Sequence, residues 1–274
     1  MSTIQIMING VPGKVATTIL AHAMNDERFT VVPFSLTGPG TEKTLNVNGT
    51  EITLVSPDER GEVIKKIKAE YGPFVTVDYT HPTAVDANVA FYCANDLPFV
   101  MGTTGGNREQ IREDVNKSVI PAVIAPNMAK QIVGLQAMIE YGAQNFPGLF
   151  KGFEMTVKES HQSWKADTSG TAKAIIKQFN TLGVDFTEAD IDMVRDPEEQ
   201  KAMGIPEEHI DGHGWHTYTL KAPDGGSEFG IVHNINGRDI YAEGTLDAAT
   251  YVEKKRLEGI KGHCFSMIDV LKNI

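Results

Sequence analysis

The chain has 274 residues, 41% hydrophobic and 22% charged, with a formal net charge of −11 at pH 7. That length holds one large domain or two ordinary ones, and the composition is that of a soluble globular protein. The acidic balance, with no Lys/Arg-rich run, excludes nucleic acid as a partner class but leaves room for a local basic pocket that takes small anions. Two cysteines, Cys93 and Cys264, make no spacing motif and fit a reducing compartment. No signal peptide, transit segment or membrane-length apolar run is visible, so no membrane partner is expected. The expected address is the cytoplasm, or the plastid stroma if a transit peptide was removed.

The opening run, 4–8, is apolar and ends in Asn9-Gly10-Val11-Pro12-Gly13-Lys14-Val15-Ala16, after which helical spacing follows. Strand, glycine turn, helix is the context in which a nucleotide phosphate sits on a helix start. The match to G-x-G-x-x-G/A is imperfect, because Pro12 occupies the middle glycine position. Taken alone, the segment fits a dinucleotide turn and an ordinary strand-to-helix turn equally. Residues 29–36 read as one second strand. No acid occurs between Thr30 and Gly40 to hold ribose hydroxyls, which favours NADP over NAD, with Ser35, Thr37 and Lys14 in reach of a 2′-phosphate.

Residues 45–55 read as a hairpin around Asn48-Gly49, and 57–70 as an amphipathic helix. A buried-type strand over 74–79 ends in Asp78-Tyr79-Thr80-His81-Pro82, and a helix covers 83–95. Short strands at 98–101 and 122–125 run into Gly102-Thr103-Thr104-Gly105-Gly106 and Pro126-Asn127-Met128-Ala129. Alternating strands and helices predict a doubly wound parallel sheet, whose ligands bind beyond the carboxyl ends of the strands.

After a helix over 130–144 the pattern changes. Strands are expected at 150–158, 215–222, 227–234 and 238–243, with hairpin turns at Asp224-Gly225-Gly226 and Asn236-Gly237. A helix over 171–179 packs on them, giving an α+β domain with a mixed or antiparallel sheet. Residues 190–208 read as a helix edge and a surface loop. Helices at 245–253 and 262–272 return to the first domain. The expected division is therefore 1–129 as a dinucleotide-binding domain, with 242–274 packing back on it, and 130–241 as a substrate-binding and oligomerisation domain.

Between strand and helix lies E-S-H-Q-S-W-K-A-D-T-S-G-T-A, residues 159–172. Thr168 or Ser169 is a natural cap, leaving the first N–H groups of the helix open to a carboxylate or phosphate. Lys165 adds a cation and His161 a group that titrates near neutrality. By contrast His209, His213 and His216 make a poor metal site: Gly212 and Gly214 break any helix and no Cys completes a zinc set. No metal is expected.

In order, G-V-P-G-K-V-A, V-D-Y-T-H-P, M-G-T-T-G, A-P-N-M-A and the 159–172 stretch resemble 4-hydroxy-tetrahydrodipicolinate reductases (dihydrodipicolinate reductases), which act in the diaminopimelate route to lysine. I-V-H-N-I-N-G-R-D-I-Y-A-E-G-T also fits. Gln162 stands where the common bacterial form has a second histidine, and Asp167-Thr168-Ser169 lacks its proline; both departures resemble the plant-type branch. The resemblance implies a Rossmann-like domain for NADPH or NADH, NADPH being the preferred cofactor, and a second domain that binds a small dicarboxylate and builds a homo-oligomer, tetramer or dimer. It implies cofactor contacts from Gly10, Gly13, Lys14, Val15, Asp78, Gly102, Thr103, Thr104, Pro126, Asn127 and Met128. It makes His161 and Lys165 proton donors and places the substrate carboxylates on His161, Lys165, Ser169, Gly170 and Thr171. Because coenzyme and substrate would then belong to different domains, closure on binding is expected, with hinges near 128–130 and 241–244. Another two-domain NAD(P)-dependent oxidoreductase, or a nucleotide-binding regulator without catalysis, is the alternative.

Overall fold

The structure, a computed structural model, describes residues 3–274. Short apolar strands followed by turns and helices build the first half: β1 (Ile4–Asn9), α1 (Lys14–Met24), β2 (Phe29–Val31), β3 (Phe34–Leu36), β4 (Thr44–Val47), β5 (Thr50–Val55), α2 (Arg60–Tyr71), β6 (Val75–Asp78), α3 (Val85–Ala94), β7 (Phe99–Met101), α4 (Arg108–Lys117) and β8 (Pro121–Ile124). The chain continues through α5 (Lys130–Asn145), β9 (Glu154–Ser160), α6 (Gly170–Thr181), β10 (Asp192–Val194), α7 (Pro197–Ala202), β11 (His213–Lys221) and β12 (Glu228–Asn236). It ends in α8 (Asp239–Leu257), β13 (His263–Phe265) and α9 (Met267–Leu271). Two units result: one holds the chain up to Lys130 together with Asp239–Ile274, the other Gln131–Arg238.

The first unit is a six-stranded parallel sheet in the order β13-β8-β7-β6-β1-β2. Its inner strands β6 and β7 are buried at every position; β7 is accordingly apolar throughout, and β6 adds Thr76 and Asp78 between its valines. Met7, Val85, Val89, Tyr92, Phe99 and Ile111 make the core of one face. On α8 the buried residues include Ala242, Gly244, Ala248 and Ala249. Their small size lets the helix lie close; a Cβ on Gly244 would stand 1.8 Å from the Met128 carbonyl oxygen.

The first unit departs from three expectations and adds one helix. Residues 29–36 are two strands, not one: Pro33 cannot donate to a ladder, and β3 leaves to pair in parallel with β5 in a separate sheet, β3-β5-β4. Helix α4 lies in a polar stretch whose pattern predicts no element; Asn107 caps it by accepting the Gln110 N–H. Residues 238–243 begin α8 instead of forming a strand, so Asn236-Gly237 links a strand to a helix. Residues 262–272 hold β13, paired in parallel with β8, before the short α9, whose Ser266–Asp269 capping box sets its start.

The second unit carries a four-stranded sheet, β10-β9-β11-β12. β9–β11 and β11–β12 are antiparallel, whereas β10–β9 is parallel, so the sheet is mixed. β10 and α7 occupy the stretch read as helix edge and loop. Side chains alternate across a strand, and on β9 the inward positions are Met155, Val157 and Glu159. Opposite them on β11 stand Leu220, Tyr218 and His216, and on β12 Phe229, Ile231 and His233. The inner rows pack on Ala172, Ile175, Ile176 and Phe179 of α6. One face of this sheet thus runs from apolar rungs to a rung made of Glu159, His216 and His233. No helix of the described residues is long and apolar enough to cross a membrane.

Candidate active site

The ionisable rung is the base of a dense polar site in the second unit. Glu159 is fully buried. Its Oε1 takes a 2.5 Å hydrogen bond from Arg195 Nη2, and its Oε2 takes the Ser169 N–H at 3.0 Å. His216 Nε2 lies 3.6 Å from Oε2. Burial pushes the Glu159 carboxyl up, but His216, Arg195 and the Ser169 N–H outweigh it and hold it at about 2. Arg195, just past β10, also donates to the carbonyls of Lys165 (2.8 Å), Val194 (3.1 Å) and Glu159 (3.3 Å). One guanidinium therefore fastens the loop carrying Lys165 to the end of β9.

His161 follows β9 directly. Its Nε2 stands 3.3 Å from His216 Nε2. Burial, then the neighbouring His216, pushes its imidazole down to about 3, against the pull of Glu159, so His161 is neutral at neutral pH. Burial also lowers the Lys165 ammonium, again opposed by Glu159. Lys165 Nζ gives one proton to the Asp167 carbonyl at 2.5 Å and keeps others to donate. The helix start at 169–171 is less open than expected. Glu159 already takes the Ser169 N–H, and Ser169 Oγ accepts from Thr171 N–H at 3.2 Å. The Ser169 hydroxyl proton and the exposed Gly170 remain at that turn. Gln162, in the position of the second histidine of the bacterial form, donates to the His213 carbonyl at 2.8 Å. It therefore braces the strand end.

The three histidines at 209, 213 and 216 do not converge on a metal. His213 bonds Ser160 Oγ and the carbonyls of His209 and Ile210, and only His216 reaches the site. Glu159, His161 and His216 do place one ligand atom each within 4.8 Å of one another. Both carboxylate oxygens are already engaged, and a bound cation would add to the charges of Arg195 and Lys165. The donor set fits a proton-handling cluster better than a metal centre.

In the first unit, Gly10 sits at φ +99°, and a Cβ there would be 2.2 Å from the Tyr79 carbonyl oxygen. The turn closes with Gly13 N–H on the Gly10 carbonyl at 2.8 Å. Helix α1 then opens at Lys14 with no side-chain cap and no acid in its first turn, a start suited to an anion. Beside the turn is a cavity of about 590 Å³ whose lining includes Gly10, Thr37, Gly38, Arg60, His81 and Asn88, and no carboxylate. Arg60 is held by Asn88 Oδ1 at 2.9 Å and lies 4.5 Å over the Phe91 ring.

Of the residues expected to hold a cofactor, Gly10 and Thr37 line this cavity, and Gly13 and Lys14 are exposed at the helix start. Val15 is half-buried in the first turn of α1. Three others are committed elsewhere. Ser35 is fully buried and its Oγ accepts the Val11 N–H, so it shapes the turn from beneath. Asp78 is fully buried and accepts from Thr80, Thr103, Asn88 and Tyr92, tying the loops after β6 and β7 together. Thr103 is spent in that network. Gly102 makes room for the Tyr79 ring, 2.2 Å from where its Cβ would be. Thr104 and Pro126 are exposed, Asn127 Oδ1 takes the Ala129 N–H, and Met128 is buried. Sequence reasoning missed Arg60 in the first unit and Glu159, Arg195 and His216 in the second. Alternation along M-T-V-K-E and H-T-Y-T-L, which puts an ionisable residue in register with core residues, is the signal that marks Glu159 and His216.

Known proteins share this architecture. Residues 4–128 match "Dihydrodipicolinate reductase, N-terminus" and residues 132–271 match "Dihydrodipicolinate reductase, C-terminus". The chain belongs to the dihydrodipicolinate reductase family. It is 43% identical over 271 residues to 4-hydroxy-tetrahydrodipicolinate reductase 1, chloroplastic, of Arabidopsis thaliana, covering 98% of this chain and 78% of that protein. The rice (Oryza sativa subsp. japonica) protein named "Probable 4-hydroxy-tetrahydrodipicolinate reductase 2, chloroplastic" is 42% identical over 97% of this chain and 82% of its own. The fold is that of a dipicolinate-bound dihydrodipicolinate reductase from Paenisporosarcina sp. TG-14, at TM-score 0.66 and 18% identity, covering 97% of this chain and 98% of that one. Dihydrodipicolinate reductases are NAD(P)H-dependent, so the chain is an oxidoreductase of that cofactor class.

Proposed function

We propose that the chain reduces 4-hydroxy-2,3,4,5-tetrahydrodipicolinate to tetrahydrodipicolinate in the diaminopimelate route to lysine, with NADPH the preferred coenzyme. The uncapped start of α1 and the carboxylate-free cavity beside Gly10 suit a dinucleotide. Gly10, Gly13, Lys14 and Val15 would hold its pyrophosphate and Thr37 its adenosine side. Gly102, Thr103 and Thr104 would follow the nicotinamide ribose, with Pro126, Asn127 and Met128 at the ring. Asp78 and Ser35 would support these loops from below. When bound, the coenzyme supplies a hydride to ring carbon four as the substrate loses water.

The protein's own share is charge and protons. Lys165 meets a substrate carboxylate and gives the proton that the ring needs as electron density moves toward its nitrogen. Its lowered affinity for that proton, set by burial, favours the transfer. His161, neutral at neutral pH, contributes a hydrogen bond rather than a full charge. Ser169, Gly170 and Thr171 take the second carboxylate through a hydroxyl and the helix start. The cofactor preference rests on Arg60, the guanidinium that lines the cavity where no acid stands.

The observation that carries the reading is the loop 161–171, with Lys165 fixed by Arg195 beside a capped helix start. The test supplies the product of the preceding synthase and follows consumption of NADPH and NADH. Wild-type protein turns over. Lys165→Ala loses roughly 10³-fold in kcat/KM while its affinity for NADPH stays the same. Absence of turnover with either coenzyme overturns the proposal.

A further inference from the structure

Three imidazoles and a buried carboxylate lie together in the second unit, and the surroundings of His216 fix more than its own tautomer. In a neutral imidazole one nitrogen carries the hydrogen and the other a lone pair. His216 Nδ1 is buried and has no partner. A hydrogen there would be an orphaned donor, costly in a dry site. His216 Nε2 faces Glu159 Oε2 at 3.6 Å, and a lone pair there would oppose a carboxylate. Both facts place the hydrogen of neutral His216 on Nε2.

That hydrogen also points toward His161 Nε2, 3.3 Å away. Two N–H groups cannot face each other at this distance, so His161 Nε2 must be bare. The hydrogen of neutral His161 is then on Nδ1. The side of the ring that carries Nδ1 faces Gly214, where an added Cβ would lie 3.5 Å from Nδ1 and 3.0 Å from Cε1. Only glycine lets the ring edge lie this close to β11. Gln200 Nε2, donating to the His161 carbonyl at 2.7 Å, holds the backbone from α7.

We propose that His216 is a positioning residue which, kept in its Nε2–H form by Glu159, forces His161 to present its hydrogen from Nδ1. Free imidazole side chains favour the opposite tautomer, so the arrangement is imposed. It deepens the reductase reading and rests on it for the kinetic consequence: a fixed donor on His161 orients the ring substrate without a second charge beside Lys165.

The test is long-range proton–nitrogen NMR of the full chain with ¹⁵N-histidine at neutral pH, with the His161 signals assigned by their loss in His161→Gln. His161 is expected as the Nδ1–H tautomer in the wild type and as the ordinary Nε2–H tautomer in His216→Phe. His216→Gln, whose amide can donate from the same place, is expected to restore Nδ1–H. Glu159→Gln, the second route should His216→Phe not fold, is expected to mix the two forms. In turnover, His216→Phe should lower kcat roughly tenfold or more with the KM for NADPH unchanged, and His216→Gln should recover most of the loss. Wild-type His161 in the Nε2–H form, or a tautomer indifferent to residue 216, overturns the assignment. A wild type that shows Nδ1–H yet reduces no 4-hydroxy-tetrahydrodipicolinate overturns the substrate reading alone.

Discussion

Each unit buries one fully enclosed acid at the carboxyl end of a strand, and the two are satisfied in opposite ways. Asp78, closing β6, is surrounded by neutral donors: the hydroxyls of Thr80, Thr103 and Tyr92 and the amide of Asn88. Glu159, near the end of β9, is met by a guanidinium, a backbone N–H and an imidazole. The first arrangement has nothing beside it that titrates near neutrality, so it works as scaffolding for the loops around the cavity. The second couples its charge to His161 and Lys165, and so offsets part of the loss of proton affinity that burial imposes on both. A buried carboxylate is thus a poor sign of chemistry by itself; the company it keeps decides.

The sharpest way to break this contrast is to remove a partner from each. Arg195→Ala leaves Glu159 buried and unpaired and frees the Lys165 loop. About 3–5 kcal/mol of stability should go, read by urea unfolding, and activity with it. Asp78→Asn keeps the shape but turns one acceptor into a donor facing donors. A loss of about 1–3 kcal/mol is expected, with the pH profile of the remaining activity unmoved. If Asp78→Asn shifted that profile as Glu159→Gln should, the two acids would not differ in kind.

Acid should attack the second unit first. His161 and His233 are pushed down by burial, to about 3 and about 4, from an ordinary 6.5. The unfolded chain therefore binds more protons than the folded one below about pH 6.5, and stability falls as pH falls through that window. Glu159, held at about 2 against an ordinary 4.5, adds a further loss from its unfolded value downward. Hydrogen exchange at pH 5 should open β9, β11 and β12 before β6 and β7; the reverse order would contradict the contrast. The smallest effect concerns the cavity: Arg60→Met should raise the KM for NADPH roughly tenfold and leave that for NADH nearly unchanged.

Much of the fold and part of the site are legible in the sequence, and the misses have physical causes. The parallel sheet announces itself because β6 and β7 are buried on both faces. The hairpin at Asn48-Gly49 is marked by the two residues that take positive φ there. Helix α4 escapes because only Ile111 and Val115 of its ten residues are buried. β13 is three residues long and takes its identity from pairing with β8, a contact no local pattern carries. Lys165 and His161 stand out as a cluster in one loop. Arg195 lies 36 residues beyond Glu159, its ion-pair partner, in a charged stretch that reads as surface until β10 lies down beside β9.

The second unit interrupts the first, which resumes only at Asp239. During synthesis β8 must wait for β13, its outer neighbour, and the sheet for α8, until the inserted segment has left the ribosome. The inserted unit can therefore finish folding while its host is still missing an edge. Chaperone demand and early proteolysis should fall on the nucleotide-type half rather than on the half that bears Glu159 and His216.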